Sequence, residues 1–96
     1  MKQNAKQCLF HLGQVVSTPG ALAALRKAGQ GPRELLARHA SGDWGHLCAE
    51  DREANQFSLE RGFPIFSSYR TDAGDELWVI TDDHFSITTI LLPDED

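Results

Sequence analysis

The strongest constraint on the fold is a change of hydrophobic period at Gly62. Before it, apolar residues recur at helical spacings between short turn signals. After it, they alternate with polar residues, as in strands. A chain of short helices followed by strands reads as α+β. Ninety-six residues allow one small core and no second one, so residues 1–96 are expected to form a single domain.

Local signals place the elements. Thr18 suits a cap, Pro19 the first helical position, and Ala21 to Ala28 is rich in helix formers before Gly29 stops them. This predicts a short helix burying Leu22 and Leu25. Pro32 opens a second helix with Leu35, Leu36 and His39, closed by Ser41-Gly42. The glycine-flanked Trp44 is expected to plug the core from a tight loop. A third helix should run from Ala49 to Arg61, because Glu50, Asp51 and Glu53 favour its positive end and Arg61-Gly62 suits the other. Leu47, Cys48, Ala54 and Phe57 are expected to face the core.

Beyond Gly62, residues Phe63, Ile65 and Tyr69 share one parity, and Leu77 to Thr81 reads as a second strand after the turn at 71–75. Phe85 to Leu92 reads as a third, after the turn Asp82-Asp83-His84. The expected architecture is therefore N-terminal short helices packed on a C-terminal three-stranded antiparallel β-meander. Residues 1–7 are expected to fray and 94–96 to form an acidic tail. The apolar cluster from Cys8 to Val16 fits a short strand or a turn of helix equally, and its conformation stays open. The last strand is apolar on both faces, with Ile87 and Leu91 on one and Ile90 and Leu92 on the other. As an edge it needs cover, from Leu9 to Val16 or from a second copy in a homodimer through that strand.

The net charge of −5 hides an asymmetry. Residues 1–40 hold six basic residues against Glu34 alone, a balance of +5, whereas residues 41–96 hold three arginines against thirteen acids, a balance of −10. The acidic half disfavours direct binding to a nucleic-acid backbone and suits docking on a basic protein surface. No apolar run reaches the roughly 20 residues that span a bilayer, and no secretory leader is apparent. The expected compartment is the cytoplasm. Cys8 and Cys48 are too few for a disulfide scaffold and are expected to be reduced and buried.

The run Thr18-Pro19-Gly20-Ala21-Leu22, then Arg38-His39, Gly42-Asp43-Trp44-Gly45, Asp51, Asn55, Ser68-Tyr69 and Thr88-Thr89-Ile90-Leu91-Leu92-Pro93, resembles a family of short bacterial proteins. These are labelled plasmid-related or hypothetical, and sometimes, misleadingly, as a type I restriction subunit. The resemblance spans nearly the whole chain and implies carriage on plasmids, phages or other mobile elements. The chain departs from that pattern at His84-Phe85, where the family favours an Asp-Arg pair, and at 94–96, where it favours an aromatic residue.

Three kinds of site follow. For a binding protein, Glu50, Asp51, Glu53, Asp72, Asp75, Glu76, Asp82 and Asp83 would meet Lys and Arg residues that otherwise grip nucleic acid, and an outward Trp78 with Tyr69 would centre a patch. The expected partner is a basic protein surface, such as that of a CRISPR effector or other host defence complex, with no direct nucleic-acid or membrane contact. For an enzyme, the meander resembles small barnase-type and toxin-type ribonucleases, in which a base, a phosphate-binding Arg and a His acid cooperate. Here Arg70, His84 and His39 would supply them. Third, a dimeric structural adaptor fits the apolar last strand. For metals, His46 and Cys48 form one loose pair without a matching second, and neither His39 nor Asp82-Asp83-His84 completes it. No metal or cofactor is expected.

Overall fold

The computed structural model describes residues 8–96. The sequence expectation for 1–7 lies outside these residues. The chain runs β1 (Gln14–Ser17), α1 (Pro19–Lys27), α2 (Pro32–Ala40), α3 (Ala49–Arg61), β2 (Ile65–Arg70), β3 (Glu76–Thr81) and β4 (Ile87–Leu91). Short 3-10 turns lie at Asp83–Phe85 and Pro93–Glu95. The α+β class and the three helices stand. The three-stranded meander is corrected to a four-stranded mixed sheet ordered β1-β4-β3-β2.

The added strand comes from the segment whose conformation the sequence left open. β1 pairs in parallel with β4, Gln14 opposite Ile87 and Ser17 opposite Ile90. β4 also pairs antiparallel with β3, so it lies inside the sheet and the apolar strand is covered within one chain. A homodimer through that strand is thereby closed off. The physical reason is that β4 is apolar on both faces, and an interior position satisfies both its ladder and its side chains.

Register sorts the side chains. Ile65, Ser67 and Tyr69 of β2, Leu77, Val79 and Thr81 of β3, and Thr88 and Ile90 of β4 share one face. Helices α1 and α2 cover it, packing Ala21, Ala24, Leu25 and Leu35 on Tyr69, Leu77, Val79 and Ile90. Thr18 caps α1 as expected, its Oγ1 accepting from the Ala21 N–H at 3.1 Å. A second cluster joins Phe10, Trp44 and Ile65, with Leu12, Leu47, Leu59 and Phe85 packed against it.

Several burial expectations are overturned. Leu22, Cys8, Cys48, Ala54 and Phe57 are exposed. The last three belong to α3 or its cap, and α3 buries only Asn55 and Ser58. This helix docks on the backbone of an edge strand rather than on an apolar sheet face, so its buried residues are polar. Asn55 Nδ2 donates to the Phe66 carbonyl at 2.7 Å while Oδ1 accepts from the Phe66 N–H at 3.1 Å. The side-chain amide thus replaces a missing β-strand along the outer edge of β2. The loop before α3 does the same one step along, where Ser68 N–H donates to the Trp44 carbonyl and His46 N–H to that of Ser68. Gly45 is required there: φ is +74° and a Cβ would lie 2.8 Å from Tyr69 Cδ1.

The C-terminal acids are not a free tail. Glu95 Oε1 accepts from Thr18 Oγ1 at 2.5 Å and from the Leu92 N–H at 2.8 Å, tying the last turn to the start of α1.

Candidate functional site

The face of the sheet that α1 and α2 leave open carries Phe66, Trp78, Ile80, Ile87, Thr89 and Val16. Val16 and Ile87 are each 40% exposed, and the others are half-buried. The Phe66 and Trp78 rings meet edge to face with centroids 5.1 Å apart. Glu76 lies beside them. Its Oε2 accepts from the Trp78 indole N–H at 3.0 Å and from the Ser68 hydroxyl at 2.8 Å. These two donors, Ser68 foremost, hold the Glu76 carboxyl below the usual carboxylate range. Arg70 pairs in register with Glu76 across the ladder. The result is an oriented carboxylate next to a partly exposed indole on an apolar sheet surface.

Tyr69 is not part of that patch. It lies on the opposite face, almost fully buried, and its hydroxyl donates to the Asp43 carbonyl at 2.6 Å. Burial pushes its phenol up to about 12. The strand parity that turns Trp78 outward is the same that turns Tyr69 inward.

The remaining acids occupy separate places. Glu50, Asp51 and Glu53 are exposed on the first turns of α3, at the β2 margin. Asp72 and Asp75 lie in the turn between β2 and β3, where Asp75 meets Lys27 of α1 at 2.9 Å. Asp82 and Asp83 lie at the other end of β3, about 20 Å away for a six-residue strand. Asp82 is used within its own turn: it accepts from the Ile87 N–H at 2.9 Å, the Ser86 N–H at 3.1 Å and the Ser86 hydroxyl at 3.0 Å. These bonds, led by Ile87, lower its carboxyl. They hold His84 and Phe85 at φ values of +63° and +57°, an uncommon pair for non-glycine residues. The charge halves also interleave. Besides Lys27 with Asp75, Arg38 pairs with Asp43 at 2.8 Å.

The three residues of the ribonuclease alternative do not converge. Arg70 ends β2 at the Glu76 end of the sheet, whereas His84 sits in the turn at the far end of β3. His39 is fully buried beneath the sheet. Its Nδ1 lies 2.5 Å from Ser67 Oγ and its Nε2 2.8 Å from Thr81 Oγ1. Thr81 Oγ1 lies 2.7 Å from Thr88 Oγ1, which donates to the Leu12 carbonyl at 2.7 Å. A carbonyl only accepts, so the direction of the chain follows as far as the ring: Thr88 receives from Thr81, and Thr81 from His39 Nε2–H. Desolvation lowers the ring's pKa to about 4, which leaves it neutral near pH 7. The ring is then the Nε2–H tautomer, and its Nδ1 accepts from Ser67. Phe10 packs edge-on against it at 5.2 Å.

His46 and Cys48 lie exposed in the loop before α3. Among the described residues no three His, Cys, Asp or Glu side chains are grouped to hold a metal ion, no ligand-sized cavity opens, and no helix is long and apolar enough to cross a membrane. Sequence reasoning missed Asn55 and the polar chain at His39. An Asn inside a helix, where its propensity is poor, was the one available signal for the first. No family model, curated protein or solved structure matches the chain.

Proposed function

We propose that this is a non-enzymatic binding protein of mobile-element origin that acts in the bacterial cytoplasm on a host defence nucleoprotein complex, such as a CRISPR effector. It occupies a basic surface that the complex uses to hold nucleic acid. The observation that carries this reading is the Glu76–Trp78 pair on the open sheet face. An indole held by a fixed carboxylate offers apolar area and a negative charge at one point, a combination suited to an Arg or Lys of a partner. The exposed acids of α3 and of the β2–β3 turn supply longer-range attraction.

The test uses a reconstituted effector complex with its guide. The purified chain should bind it and reduce its nucleic-acid binding, with affinity falling as salt rises. Trp78→Ala and Glu76→Gln should each weaken binding, whereas His84→Ala should leave it unchanged. Binding that ignores both substitutions, or RNA cleavage abolished by His84→Ala, would sink the proposal.

A further inference from the structure

The two margins of the sheet are treated differently. The outer edge of β2 is covered by the Asn55 amide and by the loop at Trp44–His46. β1 forms the other margin, and among the described residues no strand pairs with its outer edge. Gln14 and Thr18 send their N–H groups to Ser86 and Ile90 of β4, at 2.9 and 3.0 Å. Alternation along a strand then turns the N–H and C=O of Val15 and Ser17 outward, away from the sheet. Between Gln14 and Ser17 there is no Lys, Pro or Gly of the kind that blunts natural edges. Val15 and Val16 are 41% and 40% exposed.

We propose that β1 pairs antiparallel with β1 of a second copy, joining two four-stranded sheets into one of eight strands. Antiparallel pairing of a strand with itself is self-complementary about a two-fold axis. Centred on Val16, it places Val15 opposite the second copy's Ser17, and their outward groups exchange four hydrogen bonds in two symmetric pairs. Val16 then faces its own mate on the open side of the sheet, next to Thr89. Because the other margin is already covered, the assembly closes at two copies instead of growing into a filament.

Charge favours a second copy as the occupant. β1 and β4 carry no ionisable side chain. The acids of α3 lie at the opposite margin, three strand spacings or about 14 Å across the sheet. Two chains of charge −5 therefore meet along strands that carry no charge, and Glu95, at the end of β1, is already taken up by the Thr18 hydroxyl and the Leu92 N–H.

The experiment is sedimentation equilibrium of the full chain over a wide concentration range, with amide exchange at Val15 and Ser17. A reversible dimer is expected, in which both amides become protected as concentration rises. Val16→Lys sets like charges across the axis on a side chain that the monomer leaves exposed, and should weaken the dimer by at least about tenfold. In a Cys8→Ser, Cys48→Ser background, Val16→Cys should form an intermolecular disulfide on mild oxidation, since facing residues of a non-hydrogen-bonded pair lie within disulfide reach. A monomer at every concentration overturns the proposal, and so do Val15 and Ser17 amides that are protected in the monomer. A dimer indifferent to Val16→Lys overturns it as well.

Discussion

Acidification from pH 7 should destabilise this protein well before its carboxylates titrate, through His39. The folded imidazole has a pKa of about 4, against 6.5 for the unfolded chain. Below pH 6.5 the unfolded state therefore binds a proton that the folded state refuses, and stability falls as pH falls. The loss reaches about 2 kcal/mol at pH 5 and levels off near 3 kcal/mol below pH 4. The cause is geometric. Nδ1 is occupied as an acceptor from Ser67, so a second ring proton has no partner unless that hydroxyl turns round, and among the described residues burial rather than a charged neighbour sets the ring's pKa. The assay is urea unfolding by circular dichroism at half-unit steps from pH 7.5 to 5. His39→Gln keeps a donor near Thr81 but cannot titrate. It should be weaker at pH 7.5 by about 1–3 kcal/mol from lost packing and an orphaned hydroxyl, yet shallower in its pH slope. Nitrogen-15 spectra of the imidazole should show the Nε2–H tautomer at neutral pH. A wild-type stability flat from pH 7.5 to 5, or slopes identical in wild type and variant, would refute the reasoning.

Two further outcomes follow from the edges of the fold. Asn55→Leu removes both hydrogen bonds to Phe66 and should cost about 1–3 kcal/mol, with faster amide exchange at Phe66, although leucine is the better helix former. Glu95, whose carboxyl is lowered chiefly by the Thr18 hydroxyl, contributes above its ordinary range and loses that contribution on acidification; Glu95→Gln should speed exchange at Leu92 and Ala21 at neutral pH, and the difference should shrink in acid.

The elements whose causes are local were legible in the residues themselves. Thr18-Pro19 and Gly29 bound the first helix, the acid-rich start and Gly62 bound α3, and alternation marked the three later strands. Capping, positive φ and side-chain period act over a few residues, so they can be read wherever those residues occur. Trp44 was also legible, as a large side chain in a loop too tight to leave it solvated. The candidate site was legible only in part: parity required that Trp78 and Tyr69 face opposite ways, but not which face the helices would cover.

Tertiary structure decided the rest. Four residues, Gln14 to Ser17, are too few to display a period, and they become a strand only because β4 offers a free ladder more than 70 positions away. α3 has no apolar stripe to announce its packing, since it binds backbone through Asn55 and packs Leu59 against the Trp44 cluster without a continuous apolar face. Nothing near His39 in the chain marks it as neutral and buried; Ser67, Thr81 and Thr88, all distant in sequence, fix its tautomer. Each of these depends on a polar group finding a partner brought close only by the assembled sheet. Such partnerships leave no periodic trace, because hydrogen bonding constrains position in space and not spacing along the chain.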